Sequence, residues 1–260
     1  MKILPNKIAY VSVINGRKNY RPLAEAWAYS ARKNGVKNCF IYSSCDNTVG
    51  FLNCIEGITA RSINKKHLKT CIGPFNIIPH IKIKACLELI NQFDAVVFCD
   101  LDAFFLKNPT SLFKDLFQSH DLVFSCAISK RVWPRYLGKS QGWAICTGCF
   151  GVKNTGEGRK YLEDMDNYLK DHSTPNPSEL RNVFPGHNES RDLQTLTNFY
   201  FFSHFSSPEG SFFGKEKKVY LLPQRVAYRG VCKKKLDKIY IYHPFDKKNQ
   251  FSRCFPEYSF

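Results

Sequence analysis

The sequence has little acid, no long apolar run and no second half to its one cysteine pair, and each shortage removes a class of protein. No stretch approaches the roughly 18–20 apolar residues that a membrane span needs, and the opening Met-Lys-Ile-Leu-Pro-Asn-Lys-Ile lacks the apolar centre of a secretory signal. A cytoplasmic protein, with membrane contact no more than peripheral, is the expectation. Cys146 and Cys149 have the spacing of half a zinc site or a redox motif, but no further Cys-x-x-C or His-x₃-His completes it. The 11 cysteines are odd in number and scattered, and several lie inside apolar runs (Cys86, Cys99, Cys126), so they read as reduced, buried thiols. Acid is scarce: 22 Asp and Glu stand against 38 Lys and Arg, a formal charge of +16. Most of that excess is a solvated surface, and part of it suits an anionic partner such as a diphosphate, an acidic glycan or lipid surface, or nucleic acid. No nucleic-acid signature accompanies it, so no nucleic acid is expected.

What is present is a core. Hydrophobic residues make up 43% and aromatics 15% of 260 residues, which excludes disorder and suits one domain over 1–260. Strand patterns cover Lys7–Ile14, Cys39–Ser43, Ala95–Cys99, Asp121–Ala127, Trp143–Val152, Lys218–Leu222 and Ile239–Tyr242. Helical spacing covers Arg21–Lys33, Ile81–Ile90, Thr110–Gln118, Glu157–Lys170 and Glu189–Phe199. From Asp46 to Pro79 the pattern is weak, Ile128–Gly142 reads as a basic, aromatic surface loop, and the tail after Phe245 is expected to be loosely held. Strands alternating with helices predict a parallel α/β sheet.

Asp100 and Asp102 follow the apolar run Ala95-Val96-Val97-Phe98-Cys99. Such a run is a strand buried on both faces, and ligands of α/β sheets bind at the carboxyl ends of their strands. Two carboxylates this close repel unless protonated, hydrogen-bonded or bridged by a cation, and oxygen ligands suit Mg²⁺ or Mn²⁺. Gly148, inside a strand, marks a close approach by a ligand or another backbone.

The stretch KIKACLELINQFDAVVFCDLDAFFLKNP (Lys82 to Pro109) resembles the nucleotide-diphospho-sugar transferases of the GT-A fold. So do, in order, CTGCFGVKNT (Cys146 to Thr155), Arg191-Asp192-Leu193-Gln194, and VYLLPQRVAYRGV (Val219 to Val231) followed by Tyr242-His243. The resemblance implies a GT-A, Rossmann-like α/β fold with a mixed, mostly parallel central sheet flanked by helices. It implies Asp100, Asp102 and His243 as ligands of Mn²⁺ or Mg²⁺. Lys82, Asp100, Gly148 and Lys247 (or Lys248) would then lie at the donor, Tyr10, Ser12, Ile14 and Asn15 at the end of the first strand would by topology line its nucleoside pocket, and Asp192 would be the acidic residue near the transferred sugar. The reaction implied moves a sugar from a nucleoside-diphosphate-sugar donor to a hydroxyl of a glycan, glycoprotein or glycolipid. Inverting chemistry needs a base there and retaining chemistry a group on the opposite sugar face; both stay open. Cys146 departs from the pattern, since the family usually has Asn in that place.

Two other readings compete. A haloacid-dehalogenase-type phosphatase also places Asp-x-Asp after a strand, but continues with a small, hydroxylated pair where this chain has Ala103-Phe104. A basic protein that binds nucleotide sugar or nucleic acid without turnover is separated from a transferase by product formation.

Overall fold

The structure is a computed structural model describing residues 6–15, 20–64, 77–127, 144–170, 193–205, 219–223, 226–229, 237–244 and 247–258. Its frame is a seven-stranded sheet built from β1 (Ile8–Ile14), β2 (Cys39–Ser43), β3 (Thr59–Ser62), β4 (Ala95–Cys99), β6 (Leu122–Ala127), β7 (Ala144–Lys153) and β8 (Val219–Leu222). The spatial order is β3-β2-β1-β4-β7-β6-β8. β1 runs parallel to β2 and β4, β2 to β3, and β6 to β8, while β7 is antiparallel to both its neighbours. A mixed, mostly parallel sheet is what the resemblance implied. Its central strands are apolar along their length because helices cover both faces: β1 and β4 are buried at every position.

One face carries α3 (Ile77–Ile90), α5 (Gly156–Lys170) and α6 (Leu193–Phe205). α3 buries residues all round its axis, from Ile81 and Ile83 to Leu89 and Ile90, because α5 covers the side that the sheet leaves open. The other face carries α1 (Arg21–Lys33), α4 (Thr110–Leu116) and α7 (Lys247–Cys254). α1 starts with Pro22 in its first turn, where a missing N–H costs nothing, and ends at Gly35 in the left-handed region with φ +66°.

Three features differ from the sequence reading. The weakly patterned region from Asp46 holds a helix, α2 (Asp46–Leu52), and the edge strand β3. A second sheet, β5-β10-β9, is built from Phe104–Phe105, Ile241–His243 and Ala227–Arg229; β10 overlaps the strand expected over Ile239–Tyr242, while β5 and β9, of two and three residues, carry too little period to be read and are made by long-range pairing. The tail is held: Phe251 and Phe255 are buried, and Tyr29 of α1 packs on Phe255 and Tyr258. The loop Ile128–Gly142 lies outside the described residues.

Candidate metal centre and donor site

β4 ends at Cys99, and the next residue is locked on both sides. The Asp100 N–H donates to the Gly148 carbonyl at 2.7 Å, and the Asp100 carbonyl accepts from Ala103 N–H at 2.8 Å. That turn returns the chain into β5, whose Phe104 and Phe105 pair antiparallel with Tyr242 and Ile241 of β10. Continued by one residue, this register sets His243 opposite Ala103, next to Asp102. The small sheet thus joins a histidine to carboxylates far away in sequence. His243 Nε2 lies 3.1 Å from Asp102 Oδ1 and 4.0 Å from Asp100 Oδ2.

One ligand atom from each of Asp100, Asp102 and His243 lies within 4.8 Å of the other two. Two carboxylate oxygens and an imidazole nitrogen, all converging, form a donor set suited to a divalent ion. The imidazole pKa is pushed up to about 10: burial opposes its charge, but hydrogen bonds to Asp102 and to the Cys146 thiol and the nearby carboxylates outweigh that. At neutral pH the metal-free imidazole is therefore protonated, and a metal bound at Nε2 replaces that proton.

Lys82 reaches across from α3. Its Nζ is 2.5 Å from Asp100 Oδ1 and 4.6 Å from the centre of the Phe98 ring. Gly148 has no room for a side chain: a Cβ there would meet Cε1 and Nδ1 of His243 at 2.7 Å and Asp100 Oδ2 at 2.9 Å. The approach anticipated at this glycine is made by two side chains. It is aimed by a bulge: β7 passes from Phe150, opposite Phe124, to Cys146, opposite Ser125, with Thr147, Gly148 and Cys149 unmatched on β6.

Of the four residues expected at a nucleoside pocket, three are buried. Tyr10 is buried, its ring edge-on to Phe105 and its hydroxyl 3.0 Å from Thr110 Oγ1. Ser12 and Ile14 are also buried within the second face's core region, and the Ser12 hydroxyl makes no hydrogen bond among the described residues. The pleat sends alternate β1 side chains to the sheet face that α1 and α4 cover. Asn15, half-buried past that end, accepts a bond from Ser44 Oγ at 3.4 Å. Asp192 lies outside the described residues, as does the Lys247 side chain.

Sequence reasoning flagged Cys146 as one half of an uncompleted Cys-x-x-C pair and as a departure from the family pattern. Its thiol is a hydrogen-bond partner of His243, a role that neither spacing nor composition signals. Also unanticipated is Asn198 of α6, which bonds both backbone groups of Ile145 beside it.

No curated protein matches the chain by sequence. Among solved structures, the galactosyltransferase LgtC, in complex with donor and acceptor sugar analogues, aligns over 97% of this chain and 96% of its own at 13% identity, with a TM-score of 0.57. Mouse xyloside xylosyltransferase 1, in its apo form, aligns over 92% of this chain and 98% of its own at 9% identity, with a TM-score of 0.56. These likenesses are of fold, and they match the mixed sheet described above. The family model for nucleotide-diphospho-sugar transferases matches residues 73–249. That span covers more than half of the chain and takes in α3, Asp100, Asp102, the bulged β7 and His243. The chain belongs to the nucleotide-diphospho-sugar transferase family, as a glycosyltransferase of the GT-A fold.

Proposed function

We propose that this glycosyltransferase depends on Mn²⁺ or Mg²⁺ and moves a sugar from a nucleoside-diphosphate-sugar donor to a hydroxyl of a glycan, glycoprotein or glycolipid. The observation that carries this reading is the convergence of Asp100, Asp102 and His243 within 4.8 Å of one another at the carboxyl end of the central sheet. Those three side chains would hold the ion, which when bound supplies positive charge to the diphosphate as it becomes the leaving group.

The rest falls to the chain. Lys82 supplies a second cation on the α3 side of Asp100. Lys247, just beyond β10, is assigned to the diphosphate, and Asn15, at the end of β1, to the nucleoside. Gly148 leaves the space in which the His243 ring and Asp100 meet. Asp192 is assigned to the transferred sugar, as base in an inverting reaction or as the stabilising carboxylate in a retaining one. No disulfide links the nine cysteines among the described residues, which supports a reducing, cytoplasmic setting. Among the described residues no helix is long and apolar enough to cross a membrane.

The test pairs Asp102→Asn with chelation. Purified protein is screened with a panel of sugar nucleotides for Mn²⁺-dependent thermal stabilisation and product formation. Asp102→Asn is expected to keep the circular dichroism spectrum of the wild type while losing transfer and the Mn²⁺-dependent stabilisation. Transfer at the wild-type rate in that variant, or in excess chelator, would overturn the metal assignment.

A further inference from the structure

Asp100 is the point where the protein's own charge and an incoming cation meet. Its Oδ1 is held by Lys82 Nζ at 2.5 Å, while Oδ2 is turned toward His243 and Gly148. The lysine is not a surface residue that happens to lean in: it is 9% exposed, with its ammonium over the Phe98 ring. A buried ammonium needs an anion. Asp100 is the carboxylate that the structure gives it.

We propose that Lys82 is a built-in competitor of the divalent ion, which weakens metal binding to the empty protein and couples it to arrival of the diphosphate. This rests on the donor reading above. The ammonium cannot coordinate a metal, and a cation shared by Asp100, Asp102 and His243 must sit within a few ångströms of it. At that separation two like charges repel strongly even at a surface-like effective dielectric. The competition ends when another anion takes the ammonium. Lysine has three donors on a flexible four-carbon stem, and a diphosphate held at the metal presents acceptor oxygens on that side. Handing the ammonium from Asp100 to phosphate frees Oδ1 and removes the repulsion, so metal and diphosphate each raise the other's affinity by the same factor. The alternative role for Lys82 is to fix the Asp100 carboxylate in the orientation that metal requires. The two roles predict opposite signs when the charge is removed.

The experiment measures Mn²⁺ binding without nucleotide, from the free-ion electron paramagnetic resonance signal at constant pH, for wild type, Lys82→Met, Lys82→Gln and Lys82→Arg. Methionine keeps an unbranched stem and removes the charge, glutamine serves if the methionine variant fails to fold, and arginine keeps the charge. The uncharged variants are expected to bind Mn²⁺ alone at least about tenfold more tightly than wild type, and Lys82→Arg to stay near it. The titration is then repeated with each of a panel of nucleoside diphosphates. The factor by which a nucleoside diphosphate tightens Mn²⁺ binding should be about tenfold smaller, or less, in the uncharged variants. Equal, weaker or unmeasurable Mn²⁺ binding in a folded, uncharged variant overturns the proposal in favour of a positioning role. Tighter Mn²⁺ binding in those variants, with no nucleoside diphosphate affecting any protein, would uphold the competition and refute the donor reading instead.

Discussion

Glycine 148 shows how a site can depend on an atom that is not there. The residue lies in the β7 bulge, accepts a hydrogen bond from Asp100 N–H at its carbonyl and gives its side-chain volume to the His243 ring and Asp100 Oδ2. Gly148→Ala would place a methyl 2.7 Å from the imidazole and 2.9 Å from the carboxylate, closer than real contacts allow. Both neighbours are side-chain atoms, so the strain falls on the ligands and not on the sheet. We expect the variant to melt close to wild type and to lose about a hundredfold or more in transfer, because ångström-scale misplacement costs about that much. Transfer assays beside a thermal melt check it; wild-type turnover would show that the ring can yield. At this scale the sequence is uneven to read. Asp100 and Asp102 were legible because a buried strand ending in two carboxylates has few other physical explanations. His243 was legible only through the order of motifs, since a histidine at a strand end has no signature of its own. Tyr10, Ser12 and Ile14 are buried side chains, which the sequence does not show: topology names a strand end, whereas burial on one face or the other is decided by helices packed later.

Elements with their own period were read nearly to the residue. α1, β2 and β4 have the bounds expected of them, since a full helical stripe or an unbroken apolar run is a local property. β5 and β9 are not local: their pairing with β10 brings His243 to Asp102, and two or three residues carry no period. α6 illustrates a further element-scale device. β7 continues past the end of β4, so Ile145 has no strand on that side to bond. Asn198 of α6 takes the place of the missing strand, accepting from Ile145 N–H at 2.9 Å and donating to its carbonyl at 3.0 Å, with a further donation to Gln194 O at 2.8 Å. Asn198→Ala leaves a buried N–H and a buried C=O without partners, one residue from Cys146. The expected cost is about 2–4 kcal/mol, or roughly 5–10 °C in Tm. Urea or thermal unfolding measures it, and a loss under about 0.5 kcal/mol, the range of an ordinary surface change, would mean that Asn198 is not a substitute strand partner.

The two faces of the sheet hold separate hydrophobic clusters, one under α3, α5 and α6 and one under α1, α4 and α7, and they share every central strand. A single sheet as the common wall makes independent unfolding of either face expensive, which is the physical content of expecting one domain. The cysteines report on both sides. Cys86 lies in the first cluster, Cys39 and Cys99 in the second, and Cys54 is exposed on the surface. Burial pushes the Cys39 thiol up to about 12 and raises Cys86 and Cys99 as well, Cys99 also through its contact with Cys149, 3.9 Å away. Such thiols are almost wholly protonated at pH 8 and are shielded from reagent, so they react only after the structure opens. Among the described cysteines, iodoacetamide applied to the native protein should modify Cys54 first and leave Cys39, Cys86 and Cys99 intact. In urea near the unfolding midpoint, with labelling resolved by peptide mass spectrometry, those three should become reactive together, at the rate of global unfolding. Labelling of Cys86 well ahead of Cys39 and Cys99, or the reverse, would show that the faces open separately and that the chain is not one cooperative unit.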